Sequence, residues 1–233
     1  MINYTPVFIH IAKSGGRSLR KIIDKILNNK VYIHHINPGL WYSDDIPKNK
    51  IIRIWVLKNV HIKDNLPIIK ICNNTKITNL PLIQKMPLKY FVILRNPIYR
   101  FLAEKKHIKL EHFSYQRFIT NTKGYNLTCK SILIAFTGDI NLYFKDIDEA
   151  NLEEIKRYIV DNEVSVTFTD NFNKTLESLA YNLKYDKFLD FIDEKNIINP
   201  NEKYKTIEQK YIDIIKYNNK YDIMLYEWAK NNY

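Results

Sequence analysis

The segment from Val7 to Ile23, VFIHIAKSGGRSLRKII, constrains the fold most, because its hydrophobic period changes within a few residues. Val7, Phe8, Ile9 and Ile11 form a short apolar run suited to a buried strand, and Leu19, Ile22, Ile23 and Ile26 return at helical spacing. Lys13, Ser14, Gly15, Gly16, Arg17 and Ser18 lie between the two patterns. Two of the chain's five glycines are adjacent here, where a strand must turn sharply into a helix and expose backbone N–H groups. Those donors, the positive end of the helix, Lys13, Arg17 and two hydroxyls all face one small volume, the makings of an anion site. The Walker A spacing is absent. A lysine ahead of two glycines suits a single phosphate or phosphosulfate better than a triphosphate.

A second stretch has the same construction. Tyr90 to Leu94, YFVIL, reads as a buried strand, and Arg95-Asn96-Pro97 follows, with Pro97 placed to begin a helix from about Ile98 to Leu110. Arg95 stands at the carboxyl end of that strand, where open α/β sheets place ligands, and its planar fork can take a phosphate through two parallel hydrogen bonds.

Together, FIHIAKSGGRSL and FVILRNPIYRFLAEKKHI resemble the two nucleotide-binding motifs of sulfotransferases that use 3′-phosphoadenosine 5′-phosphosulfate (PAPS). The likeness is nearest to the carbohydrate branch that includes the heparan sulfate 2-O- and 6-O-sulfotransferases. It extends weakly to Asn126-Leu127-Thr128 and to the C-terminal YDIMLYEWAK, and it leaves Asp44 to Lys89 unmatched. The resemblance implies a three-layer, P-loop-like sulfotransferase fold of α/β class with a mainly parallel central sheet. It also implies that Lys13 to Ser18 hold the 5′-phosphosulfate and Arg95 the 3′-phosphate, with PAPS as cosubstrate and a carbohydrate or glycan acceptor. The family serine eight residues after the arginine is replaced by Ala103, a loss that Lys106 or His107 could offset.

At 233 residues with 45% hydrophobic content and no long Pro/Gly/Ser linker, the chain is expected to form one domain, 1–233. A formal charge of +11 favours anionic partners without choosing among them. The 36 basic residues are spread with no block of five or more, which argues against a nucleic-acid arm. Cys72 and Cys129 stand far apart, so neither a disulfide framework nor a cysteine metal site is indicated and a reducing compartment fits best. No metal is expected. MINYTPVFIHI enters the first strand without a leader pattern, and no run reaches the roughly 18 apolar residues of a membrane span. A cytoplasmic location is the expectation.

In chain order, the first helix should run to about Asn29, and Val31 to Ile36 should form a second strand ended by Asn37-Pro38-Gly39. Adjacent His34 and His35 would point to opposite faces. In the resembled family a histidine near this place is the base on the sugar hydroxyl; His35 matches it, with His34 as the alternative and Asp44 or Asp45 next. Asn49 to Lys58 and Leu66 to Cys72 are further strand candidates, and Trp41, Tyr42 and Trp55 around them could line an acceptor pocket or simply belong to sheet edge and loop.

Helices are expected at Phe113 to Asn121, Asn126 to Thr137, Asn151 to Asp161, about Phe172 to Asn182, Ile207 to Tyr217 and Tyr221 to Lys230, with a strand at Val164 to Phe168. Asp170 or Asn171 can cap the helix that follows this strand. Sulfuryl transfer needs a base, positive charge on the departing oxygen and in-line placement. His35, Lys13 and the loop offer these. The alternatives are a P-loop-type phosphotransferase, for which no magnesium carboxylate is well placed, and a non-catalytic binder of anionic polymer.

Overall fold

A computed structural model of the chain describes residues 5–26, 31–35, 52–57, 67–71, 88–107, 125–137, 139–182, 186–192 and 207–233. The opening apolar run forms β1 (Thr5–Ile9), and helical spacing takes over in α1 (Gly16–Ile26). β2 (Val31–His35), β3 (Ile52–Leu57), β4 (Pro67–Ile71) and β5 (Leu88–Leu94) follow. Pro67 is tolerated because it stands first in its strand. Pro97 opens α2 (Pro97–His107), where its missing N–H costs nothing. α3 (Leu127–Thr137), α4 (Glu149–Asp161), β6 (Ser165–Phe168), α5 (Phe172–Asn182), α6 (Gln209–Asn218) and α7 (Lys220–Asn232) complete the order. The helix expected at Phe113 to Asn121 and the pocket residues Trp41 and Tyr42 lie outside the described residues.

The strands make one sheet in the order β2-β3-β4-β1-β5-β6. β4, β1, β5 and β6 run parallel, and β3 is antiparallel to both its neighbours. The antiparallel step has a simple cause. Only residues 58–66 separate β3 from β4, short of the dozen or so a parallel crossover needs. β2, antiparallel to β3 in turn, therefore runs in the same direction as β1 and ends at the same edge of the sheet.

Both faces of the parallel strands are covered. In the β1–β5 register Phe8 stands beside Phe91 and Ile9 beside Val92, so alternate residues divide between the faces. Ile9, Ile11, Val92 and Leu94 pack with Ile132 and Leu133 of α3, Leu152 and Ile155 of α4, and Leu225 of α7. On the other face Phe8 and Phe91 stack at 4.9 Å, while Ile93 approaches Gly15 beside Phe172 of α5. Near-continuous apolar strands such as YFVIL are what two-sided cover requires. The architecture is α/β with a mainly parallel sheet, as expected. No described helix is long and apolar enough to cross a membrane.

Candidate functional site: the turn between β1 and α1

Between β1 and α1 the Ser14 amide donates to the Ile11 carbonyl at 3.2 Å, closing a tight turn. Lys13 adopts φ 67° and Gly15 φ 78°. A left-handed conformation is ordinary for glycine but costs a side-chain-bearing residue about 1–2 kcal/mol, so Lys13 is held against its preference by the surrounding turn. Such strain collects at functional sites. The first helical bond joins the Leu19 amide to the Gly15 carbonyl at 3.0 Å, leaving the amides of the first turn without helical partners.

The two glycines answer different constraints. Gly15 needs its positive φ, and a Cβ there would also stand 3.2 Å from Phe172 Cε2 and 3.3 Å from Thr169 Cγ2. At Gly16 a Cβ would overlap the ring of His10, which lies directly on that Cα. His10, half-buried and edge-on to Phe8 at 5.7 Å, thus belongs to the turn. Sequence reasoning assigned it no role, although it stands inside the quoted motif.

Arg95 joins the second motif to the first. Leu94 ends β5, Arg95 is 6% exposed, and its Nη1 donates to the Lys13 carbonyl at 3.0 Å. Asn96 Oδ1 then accepts from the amides of Ile98 at 3.1 Å and Tyr99 at 3.4 Å, capping α2. The fold therefore brings Lys13, Ser14, Gly15, Gly16, Ser18 and Arg95 to one end of adjacent parallel strands. The side chains of Arg17, His34 and His35 lie outside the described residues. The backbone of β2 places His34 opposite Ile54 and His35 opposite Arg53 at the sheet's edge. Three strand spacings, about 14 Å, separate β2 from β1.

A third strand end contributes to the same rim. β6 closes into a one-turn 3-10 segment, Thr169–Asn171, in which Asn171 Oδ1 accepts from the Lys174 amide at 3.1 Å and caps α5. Asp170 is left for other partners: the Tyr226 hydroxyl donates to its Oδ2, and Lys230 Nζ lies 3.3 Å from the same atom. Lys230 also sits 4.2 Å over the Phe168 ring. Burial, then the hydrogen bond and charge of Asp170, push the Tyr226 phenol well above its ordinary pKa.

Behind the site lies a polar cluster that sequence reasoning did not find. Asp222 of α7 is fully buried and accepts from the Thr128 amide at 3.0 Å and the Cys129 amide at 2.8 Å. Arg100 of α2, also fully buried, places Nε 3.8 Å from Asp222 Oδ2 and Nη1 3.0 Å from Glu104 Oε2. Asn126, at φ 49°, donates its backbone amide to Asn219 Oδ1 and accepts at its own Oδ1 from the Asp222 amide, both at 3.1 Å. Asn126-Leu127-Thr128 and YDIMLYEWAK, the two weaker pieces of the resemblance, are thus bound to each other. Burial, followed by the charge of Asp222, raises the Cys129 thiol well above its usual pKa, so this cysteine is an inert core residue.

Among the described residues no group of three His, Cys, Asp or Glu side chains is arranged to hold a metal. No protein-family model matches the chain, and no curated protein matches it.

Proposed function

We propose that the protein is a PAPS-dependent sulfotransferase acting on a hydroxyl of a carbohydrate acceptor. The observation that carries this reading is the 3.0 Å contact between Arg95 and the Lys13 carbonyl. It joins two motifs that lie 82 residues apart, at the strand ends where such sheets take ligands. Lys13 and the loop amides hold the 5′-phosphosulfate, and Arg95 holds the 3′-phosphate. In transfer, the bond from sulfur to the 5′-phosphate oxygen breaks as the acceptor oxygen bonds to sulfur. The acceptor proton passes to His35, or to His34, and Lys13 neutralises charge on the departing phosphate. Because β2 is the edge strand, the acceptor must lie across the ends of β3 and β4.

Titration with 3′-phosphoadenosine 5′-phosphate, ATP and a mixed oligonucleotide tests the donor half. Lys13→Ala and Arg95→Ala should each weaken binding of the desulfo product by roughly 1.5–3 kcal/mol, the range for hydrogen bonds to charged groups. Unchanged affinity in both folded variants rejects the site. The distance of β2 favours one other reading, a binder of anionic ligands without a base. Sulfate transfer to a panel of polysaccharides, phenols and peptides separates the two. As an enzyme, His35→Ala should lose roughly 10²- to 10⁴-fold in turnover with nucleotide affinity retained; no transfer to any acceptor leaves the binder.

A further inference from the structure

Charge is divided unevenly along the chain. Residues 1–124 carry 22 lysines and arginines against 6 acidic residues, and residues 125–233 carry 14 against 19. The sheet order keeps the division in space: β2, β3 and β4, all from the basic stretch, lie on one side of β1, and β6, from the acidic stretch, lies beyond β5 on the other. Within β2, β3 and β4 the only lysine or arginine residues are Lys70 and Arg53, and there is no Asp or Glu. The register gathers them into one transverse row, with His35 opposite Arg53, Arg53 opposite Lys70, and Lys70 beside Phe8 of β1. Cross-strand partners share a face, so His35, Arg53 and Lys70 occupy the face of Phe8 and Phe91, where Ile93 meets the Gly15 turn. His35 ends β2 and Lys70 is one residue from the end of β4, so the row stands at the edge of the sheet that carries Lys13 and Arg95. His34 falls on the opposite face, in a row with Ile54, Ile69 and Val7.

Like charges directly opposite in an antiparallel pair are destabilising. Setting Arg53 against Lys70 beside a histidine therefore carries a cost that an anion from outside would remove. We propose that Arg53 and Lys70 bind an anionic group of the acceptor, a carboxylate or a sulfate or phosphate ester. The inference rests on the acceptor reading above, which lays the acceptor across the ends of β3 and β4, and it adds two residues and a charge requirement to it. Neighbouring strands lie about 4.8 Å apart, so Lys70 stands one spacing from β1 and Arg53 two, between the Lys13 turn and His35. The Arg53 fork can take a carboxylate through two parallel hydrogen bonds, and Lys70 serves as a point charge. The same register separates the adjacent histidines, since His35 shares the row and His34 does not.

The test uses the full chain with polygalacturonate for carboxylates, dextran sulfate for sulfate esters, plain dextran as the neutral arm, and 3′-phosphoadenosine 5′-phosphate as the donor-site probe. The wild type should bind at least one of the two polyanions and not dextran. Arg53→Gln and Lys70→Gln should each weaken that binding about tenfold, with affinity for 3′-phosphoadenosine 5′-phosphate kept within about twofold. Lys216→Gln removes an equal charge from an exposed position on α6 and should leave both affinities within about twofold. Without ligand, the two row variants should unfold at the wild-type temperature or above it, since each relieves a like-charge pair. Polyanion affinity unchanged in both row variants, an equal loss in Lys216→Gln, a clearly lower unfolding temperature, or a wild type that does not prefer either polyanion to dextran overturns the proposal and leaves the donor site standing. A loss of 3′-phosphoadenosine 5′-phosphate affinity in the row variants assigns the row to the nucleotide and overturns it as well. A wild type that does not bind 3′-phosphoadenosine 5′-phosphate strikes the sulfotransferase reading itself, and this inference with it.

Discussion

α3 and α1 both begin beside buried polar groups, and the chain completes them differently. At α3 the carboxylate of Asp222 takes the first amides and is itself matched by Arg100. α2, α4 and α5 also receive side chains, from Asn96, Asp148 and Asn171. α1 has no acidic residue in its first turn, and the residue before it is Gly15, which has no side chain to cap with. Around it stand Lys13, Arg95 and the Ser14 hydroxyl, which has no hydrogen-bond partner among the described residues. α6 and α7 also start without a side-chain cap, but α1 is the start that stands beside Lys13 and Arg95, which is why we propose that it takes an acceptor from outside.

The sharpest way to break this contrast is at Asp222. Asp222→Ala takes one carboxylate from beside the buried Arg100 and strips two amides of their acceptor, so stability in urea should fall by about 3–5 kcal/mol. Asp222→Asn, which keeps one acceptor oxygen, should fall less. Nucleotide affinity, measured where the variant remains folded, should be unchanged. If Asp222→Ala costs under about 1 kcal/mol, or removes nucleotide binding from a folded protein, the two regions are not the separate devices described here.

A smaller effect is expected at Gly16, where the His10 ring occupies the space of a Cβ. Gly16→Ala should cost about 1–3 kcal/mol through overpacking. His10→Ala should return most of that loss in the double variant, because the ring is what the new methyl meets. Simple additivity of the two single changes would show that Gly16 is required for its backbone instead.

These two cases mark what was legible in the chain. Period changes and turn residues are local, so the strand–turn–helix units at Val7 to Ile23 and Tyr90 to Phe101 could be read directly, as could the closing helices. Asp222 serves amides 93 and 94 residues away. Nothing near it in YDIMLYEWAK announces that it is a cap. The packing of the turn after β6 on Gly15 is invisible for the same reason: it arises only because β6 pairs beside β5. The sequence offers Asp170 or Asn171 as the cap after β6, and the structure chooses Asn171 because Tyr226 and Lys230 engage Asp170. β3 was read as a strand but its direction was not, since direction follows from the short link to β4 and not from composition.

The smallest expected effect tests how firmly the turn after β6 is fixed. Tyr226→Phe deletes the hydroxyl on Asp170 and keeps the ring edge-on to Phe168 at 5.6 Å. Asp170 is partly exposed and still has Lys230, so the loss at neutral pH should be about 1 kcal/mol. The wild-type phenol has its pKa raised by burial first and then by Asp170, which fixes the sign of the pH dependence. Below about pH 10, the ordinary tyrosine value, both folded and unfolded phenols keep the proton and the contribution is complete. Above it the unfolded chain ionises while the folded one does not, and the stabilisation drains away. The wild-type advantage over Tyr226→Phe should therefore shrink as pH rises past about 10, measured by urea unfolding at pH values on either side. A gap that stays constant would mean that Asp170 does not hold this phenol protonated. The turn after β6 would then be held by Lys230, Thr175 and the Asn171 cap.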